Sequence, residues 1–151
     1  MTNIGKELYD KYSFLKVCEY CRILERIYYT QAVMRLEENY RLFNEEEDCN
    51  EYSDDYKTRL DQSIENTIYI LKGLNIQPFN IVLTGRASVQ LEYEMYNSYL
   101  EIEIFPKEIK YLISFDRYNY STFQKASLSI FESYKLLDLI DNFFHRKYNL
   151  N

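Results

Sequence analysis

Two short runs, Val89-Gln90-Leu91-Glu92-Tyr93-Glu94 and Tyr99-Leu100-Glu101-Ile102-Glu103-Ile104, alternate apolar and polar residues. A period of two is the mark of a strand with one greasy face and one wet face. Only Met95 to Ser98 separate the runs, so they are expected to fold back as an antiparallel hairpin. The wet face then carries Glu92, Glu94, Glu101 and Glu103. Like charges directly opposite one another destabilise a sheet, so this face needs either full exposure to water or a partner.

Keeping apolar side chains on one side sets the expected register, because a slip of one residue reverses every face. Pairing Met95 with Leu100 aligns Tyr93 with Ile102 and Leu91 with Ile104. Glu94 then opposes Glu101, and Glu92 opposes Glu103. By the same logic Ile104 opposes Ile109 and Glu103 opposes Lys110, so Lys110 relieves one edge of the cluster and nothing basic relieves the Glu94–Glu101 pair. Four strands are expected, at about Phe79–Leu83, Ser88–Met95, Tyr99–Phe105 and Ile109–Phe115, separated by turn signals at Thr84-Gly85-Arg86-Ala87, Tyr96-Asn97-Ser98 and Pro106-Lys107-Glu108.

The rest of the chain is helical in pattern. From Tyr12 to Phe43 apolar residues recur at helical spacing with no glycine or proline, which predicts one long helix with Ser13 as its N-cap and a further turn upstream near Lys6–Asp10. A polar segment from Asn44 to Asp55 follows. Ser53 is the expected cap of a second helix that runs through Leu60, Ile64, Ile68 and Leu71 to a C′ residue at Gly73. A last helix is expected from Thr122 to Arg146, opened by a capping box of Ser121 and Gln124 and striped by Phe123, Leu128, Phe131, Leu136, Leu139, Ile140 and Phe143. The expected class is α+β in the order α-α-β-β-β-β-α. It reads as a single domain over residues 1–151, with a helical hairpin over 1–75, an antiparallel sheet over 78–116 and a C-terminal helix over 121–147.

Twenty-four acidic against eighteen basic side chains give a formal charge of −6. That balance argues against direct nucleic-acid binding, which leaves a basic footprint; its plainest role is to keep the chain soluble, and a partner with a basic surface suits it better than a phosphate backbone. Seventeen tyrosines without a tryptophan, alongside frequent Asn, Ile and Lys, fit a coding bias towards A and T better than an interface signature. Three cysteines make no disulfide framework, and no leading segment resembles a signal peptide. No apolar run is long enough to cross a bilayer. The expected compartment is the cytoplasm of a bacterial host, with no cofactor.

Four readings of the glutamate face are open. Exposed carboxylates in salt water repel weakly, so a solvated face is the plainest. A docking surface comes next, since clustered carboxylates gain most when a partner's Arg or Lys neutralises them. A hard-cation site suffers from flat strands that cannot encircle an ion. Paired catalytic carboxylates lack any sign of a cleft that would separate their pKa values. Glu45, Glu46, Glu47 and Asp48 form a second acidic patch, read first as a solvated connection and second as mimicry of nucleic-acid phosphates. Cys18 and Cys21 have CxxC spacing but lie inside a helical pattern with no second Cys/His pair, and Cys49 stands alone, so core thiols are expected. His145, the sole histidine, suits a helix C-terminus, and no nucleophile motif or phosphate-binding glycine loop accompanies it.

The segment from Pro78 to Asp116 resembles a family of small bacterial and mobile-element proteins. Their shared stretch reads as a Pro-Thr-Pro-Asp-Gly-Gly turn, then Ile-Gln-Leu-Glu-Trp-Glu, then Leu-Glu-Ile-Glu-Ile. Val89 to Glu94 and Leu100 to Ile104 match it, while Leu83 to Ser88 keeps only Thr84 of the turn and Tyr93 replaces the tryptophan. The resemblance implies a small sheet flanked by helices and a setting in defence or toxin–antitoxin-like systems. The expected function is a non-catalytic acidic regulator or inhibitor that binds a protein through Glu92, Glu94, Glu101 and Glu103, with Glu45–Asp48 as a second patch. A phage or mobile-element inhibitor of a nucleic-acid-binding defence enzyme, an antitoxin and an immunity protein are its concrete forms. The alternative is a homo-oligomer, such as a homodimer, that associates through the long first helix and buries Ile23, Ile27 and Met34.

Overall fold

The structure, a computed structural model, describes residues 3–45, 52–116, 118–119 and 123–145, with first-helix side chains described at 23, 24 and from 26 onward. Helices α1 (Asn3–Glu45) and α2 (Asp54–Gly73) precede strands β1 (Asn80–Leu83), β2 (Val89–Met95), β3 (Ser98–Ile104), β4 (Glu108–Ser114) and β5 (Gln124–Ser129). A short 3₁₀ turn, Ile130–Glu132, leads into α3 (Lys135–His145). The five strands form one antiparallel sheet in chain order. The α+β class is as the residue patterns predict, with one strand more.

That extra strand corrects the expected C-terminal helix. Gln124 to Ser129 pairs with β4, setting Leu128 against Ile109 and Ala126 against Tyr111. Without it, β4 would leave a row of backbone donors and acceptors unpaired along the sheet edge. The capping box exists, but eight residues further on. Ser129 Oγ accepts from the Phe131 amide at 3.3 Å, and Glu132 Oε1 accepts from the Ser129 amide at 3.2 Å. Helix α3 accordingly keeps only Leu136, Ile140 and Phe143 as its buried stripe. Phe131 is 88% exposed. Ser121, expected as the cap, lies outside the described residues.

The other helices also differ at their ends. α1 begins at Asn3, so Ser13 lies inside the helix and not at its N-terminus. Ser53 does cap α2, accepting from the Tyr56 amide at 3.1 Å. Gly73 is the last residue of α2, not a residue beyond it, and the helix closes through the Leu74 amide donating to Leu71.

Among the described residues the helices pack on one face of the sheet. Val89, Leu91, Tyr93, Leu100, Ile102, Ile104 and Ile109 meet Ala32 and Leu36 of α1, Ile70 and Leu71 of α2, and Leu136, Ile140 and Phe143 of α3 in one continuous core. Side-chain donors then bind the helices to sheet carbonyls. Arg35 Nη1 donates to the Phe79 carbonyl at 2.9 Å and Asn39 Nδ2 to Ile81 at 2.6 Å. Tyr56 donates to Thr84 and Ser63 to Ala87, each at 2.7 Å. Because β1 pairs only with β2, the Arg35 and Asn39 bonds also occupy carbonyls on an edge that would otherwise invite another strand.

Burial of phenols shapes the alkaline limit of stability. Desolvation pushes the Tyr93 hydroxyl well above the ordinary tyrosine range, and Tyr93 donates to the Ile76 carbonyl at 2.6 Å. Tyr99 is raised as well, first by desolvation and then by the negative charges of Glu101 and Glu92. Both phenols hold their protons more tightly folded than unfolded. Their contribution to stability is therefore complete below about pH 10, the ordinary tyrosine value, and declines as pH rises through and above it. Absorbance at 295 nm is expected to show these two tyrosines ionising only in a step that coincides with unfolding.

Candidate functional site

Among the described residues no helix packs on the opposite face of the sheet, and its rows follow from the register. Asn80, Glu92, Glu101, Leu112 and Lys125 lie side by side across all five strands. Val82, Gln90, Glu103, Lys110 and Ser127 make the next row, and Glu94 faces Tyr99 beyond the first. Most of the acidic side chains on this face therefore lie on β2 and β3, whereas β4 and β5 carry Lys110 and Lys125, with Glu108 opening β4.

The hairpin register is two residues away from the expected one. Met95 pairs with Ser98, Tyr93 with Leu100 and Leu91 with Ile102. Glu92 consequently opposes Glu101, while Glu94 meets Tyr99 and Glu103 meets Gln90. A slip of two leaves every side chain on its face, so alternation of apolar residues does not distinguish the two registers. The turn does. Only Tyr96 and Asn97 connect the strands, and two-residue hairpin loops need a positive φ, which Tyr96 adopts at 55°. The pairings of Ile104 with Ile109 and Glu103 with Lys110 are as expected.

Glu92 and Glu101 are thus like charges directly across a ladder, and neutral donors hold them. Gln90 Nε2 bridges the two, donating to Glu92 Oε1 at 2.9 Å and to Glu101 Oε1 at 2.6 Å. Asn80 Nδ2 donates to Glu92 Oε2 at 3.0 Å, and the Tyr99 hydroxyl to Glu101 Oε1 at 3.0 Å. These bonds orient the carboxylates without cancelling their charge. Both glutamates remain partly exposed, and Glu94 is exposed.

Glu103 behaves differently. Its side chain is only 11% exposed, and Arg86 grips it through Nε at 2.7 Å and Nη2 at 3.2 Å, with Ser88 Oγ donating at 2.7 Å. Arg86, not Lys110, neutralises this glutamate. Lys110 Nζ instead lies 3.7 Å from Glu108 and 5.1 Å above the Phe105 ring. Replacing Arg86 with alanine would leave a nearly buried carboxylate with the serine donor in place of a fork. Because the Arg86 side chain is itself 63% exposed, the expected cost is modest, about 1–2 kcal/mol in a urea unfolding curve.

The second predicted patch is not assembled among the described residues. Glu45 ends α1 and pairs with Arg41 at 2.7 Å, whereas Glu46, Glu47, Asp48 and Cys49 lie outside those residues. Cys18 and Cys21 fall within α1, and their side chains are likewise outside. His145 closes α3, its Nδ1 2.7 Å from the Asp141 carbonyl oxygen. Among the described residues no group of three or more His, Cys, Asp or Glu side chains is arranged to hold a metal, and no helix is long and apolar enough to cross a membrane.

Arg86, Ser88, Gln90 and Tyr99 were not among the predicted site residues. Gln90 and Tyr99 share the parity of the glutamates, so the alternation could have placed them on this face. Arg86 sits in a turn whose reach onto the sheet depends on Ala87 at φ 59°, and nothing in the pattern foretells that. A shallow depression of about 350 Å³ flanks the acidic rows, bordered by Glu101, Glu103, Lys110, Leu112 and Lys125. A larger concavity, about 700 Å³, lies instead between α1 and β1, and none of the sheet glutamates lines it. Compared with family models, with curated proteins and with solved structures, the chain matches none.

Proposed function

We propose that this chain is a non-catalytic binding protein that presents the open face of its sheet, led by Glu92, Glu94 and Glu101, to a partner protein with a basic surface. The observation that carries the reading is the Glu92–Glu101 pair, two carboxylates set directly opposite and held by Gln90, Asn80 and Tyr99. Neutral donors preserve the negative charge while fixing its position, which suits charge-assisted bonds to an incoming Arg or Lys.

An inhibitor or antitoxin-like regulator is the form that fits best, because positioned carboxylates on a strand face can occupy a site built for phosphates. Glu103 then has a supporting part, since Arg86 already neutralises it. The test is capture from a host lysate by the immobilised chain and by its Glu94→Lys/Glu101→Lys variant. A partner held by the first and lost by the second supports the assignment, and equal retention removes it. Binding is also expected to weaken steeply with added salt, as it does for electrostatically steered association.

A further inference from the structure

Along the free edge of β1 one backbone pair is left over. β1 pairs only with β2, so alternate residues turn their N–H and C=O away from the ladder. Ile81 is one of them, because Asn39 of α1 donates to its carbonyl at 2.6 Å. Arg35 takes the Phe79 carbonyl and Tyr56 the Thr84 carbonyl. Leu83 stands two residues beyond Ile81 and shares its orientation. Among the described residues no side chain bonds to the Leu83 N–H or C=O. In an extended residue these two groups lie side by side and point the same way. Leu83 lines the concavity of about 700 Å³ between α1 and β1, together with Phe43, Tyr52 and Tyr56. It packs against the same cluster as Phe43 and Tyr56. Tyr52 stacks on Tyr56 at 4.4 Å and stays 36% exposed.

We infer that this concavity binds a small, neutral, planar heteroaromatic molecule carrying a hydrogen-bond donor beside an acceptor, as a nucleobase or an aromatic carboxamide does. Its acceptor takes the Leu83 N–H, its donor gives to the Leu83 C=O, and its ring lies against Tyr52. An added peptide strand fits less well, because it needs the Phe79 and Ile81 carbonyls that Arg35 and Asn39 occupy. A charged ligand meets no uncommitted counter-charge in the lining. Arg35 is engaged by the carbonyls of Pro78 and Phe79, and Glu38 is paired with Arg41. An aromatic face suits a flat π-system, and the volume lies within the range of small-molecule sites. None of the sheet glutamates lines the concavity, so this assignment and the protein-binding face stand or fall separately.

The test is an amide NMR titration of the isotope-labelled full chain with adenine, cytosine and nicotinamide in turn. At least one of the three is expected to shift the Leu83 amide saturably, with a Kd below about 1 mM. Dimethylating the exocyclic nitrogen of that probe removes its donor and is expected to weaken binding at least about tenfold. Tyr52→Ala is expected to weaken it by a similar factor, about tenfold or more, through loss of stacking. The dimethylated probe needs no variant, so it keeps the test decisive if Tyr52→Ala disturbs the aromatic cluster. The inference is overturned if none of the three probes shifts Leu83 saturably, or if the dimethylated probe binds as tightly as its parent. A Tyr52→Ala chain that keeps both its sheet and its full affinity overturns it as well.

Discussion

Phe143→Ala is expected to remove about 3–5 kcal/mol of stability, the largest loss from any single substitution considered for this chain. The ring is fully buried, 5.0 Å from Phe144 in an edge contact and 6.3 Å from Phe115. It is also one of only three buried residues that fasten α3 to the core. Truncation removes transfer energy and leaves a cavity that close packing cannot refill. Against a total stability of about 5–15 kcal/mol for a domain of this kind, that is a large share. Phe131→Ala provides the contrast. Both phenylalanines belong to the helical stripe read from the sequence, but Phe131 is 88% exposed on the 3₁₀ turn after β5. Its loss is expected to fall within about 0.5 kcal/mol of neutral. Urea denaturation of the two variants, with unchanged slopes, checks both values.

Reversing Glu94 and Glu101 together is expected to weaken partner binding at least about 100-fold, roughly 2.7 kcal/mol. The loss combines two charge-assisted contacts with new repulsion, and breaking charge pairs at an interface is costly for both reasons. The fold is expected to survive, because Glu94 is exposed and Glu101 partly so, while the apolar positions of β2 and β3 are untouched. Glu101→Lys does deprive Gln90 and Tyr99 of a shared acceptor. Thermal unfolding of the free variant separates that local cost from the loss of binding.

The alternation of β2 and β3 made the sheet, its buried side and the identity of its acidic side legible. Strand boundaries fell within a residue of the pattern for β1 to β4 because Thr84-Gly85, Tyr96-Asn97 and Pro106 punctuate it. The hairpin register was not legible, since a two-residue slip preserves both faces and only the turn at Tyr96 decides between them. β5 was hidden for a related reason. Its apolar residues are few, and Phe123, Leu128 and Phe131 also fit a helical period, while the unpaired edge of β4 that recruits it is a property of the sheet. Ser53 could be identified as a cap because its bond is local. The Arg86–Glu103 fork spans 17 positions and arises only once the turn is folded.

Capture from host lysate by three immobilised proteins tests the central claim most directly: the native chain, Glu94→Lys/Glu101→Lys on the sheet face, and Glu37→Lys/Glu65→Lys on the helices. The two variants carry the same change in net charge, so non-specific attraction affects them alike. The sheet-face account predicts a basic protein retained by the native chain and the helix variant but lost by the sheet variant. Equal retention by all three, or loss from both variants alike, would contradict it.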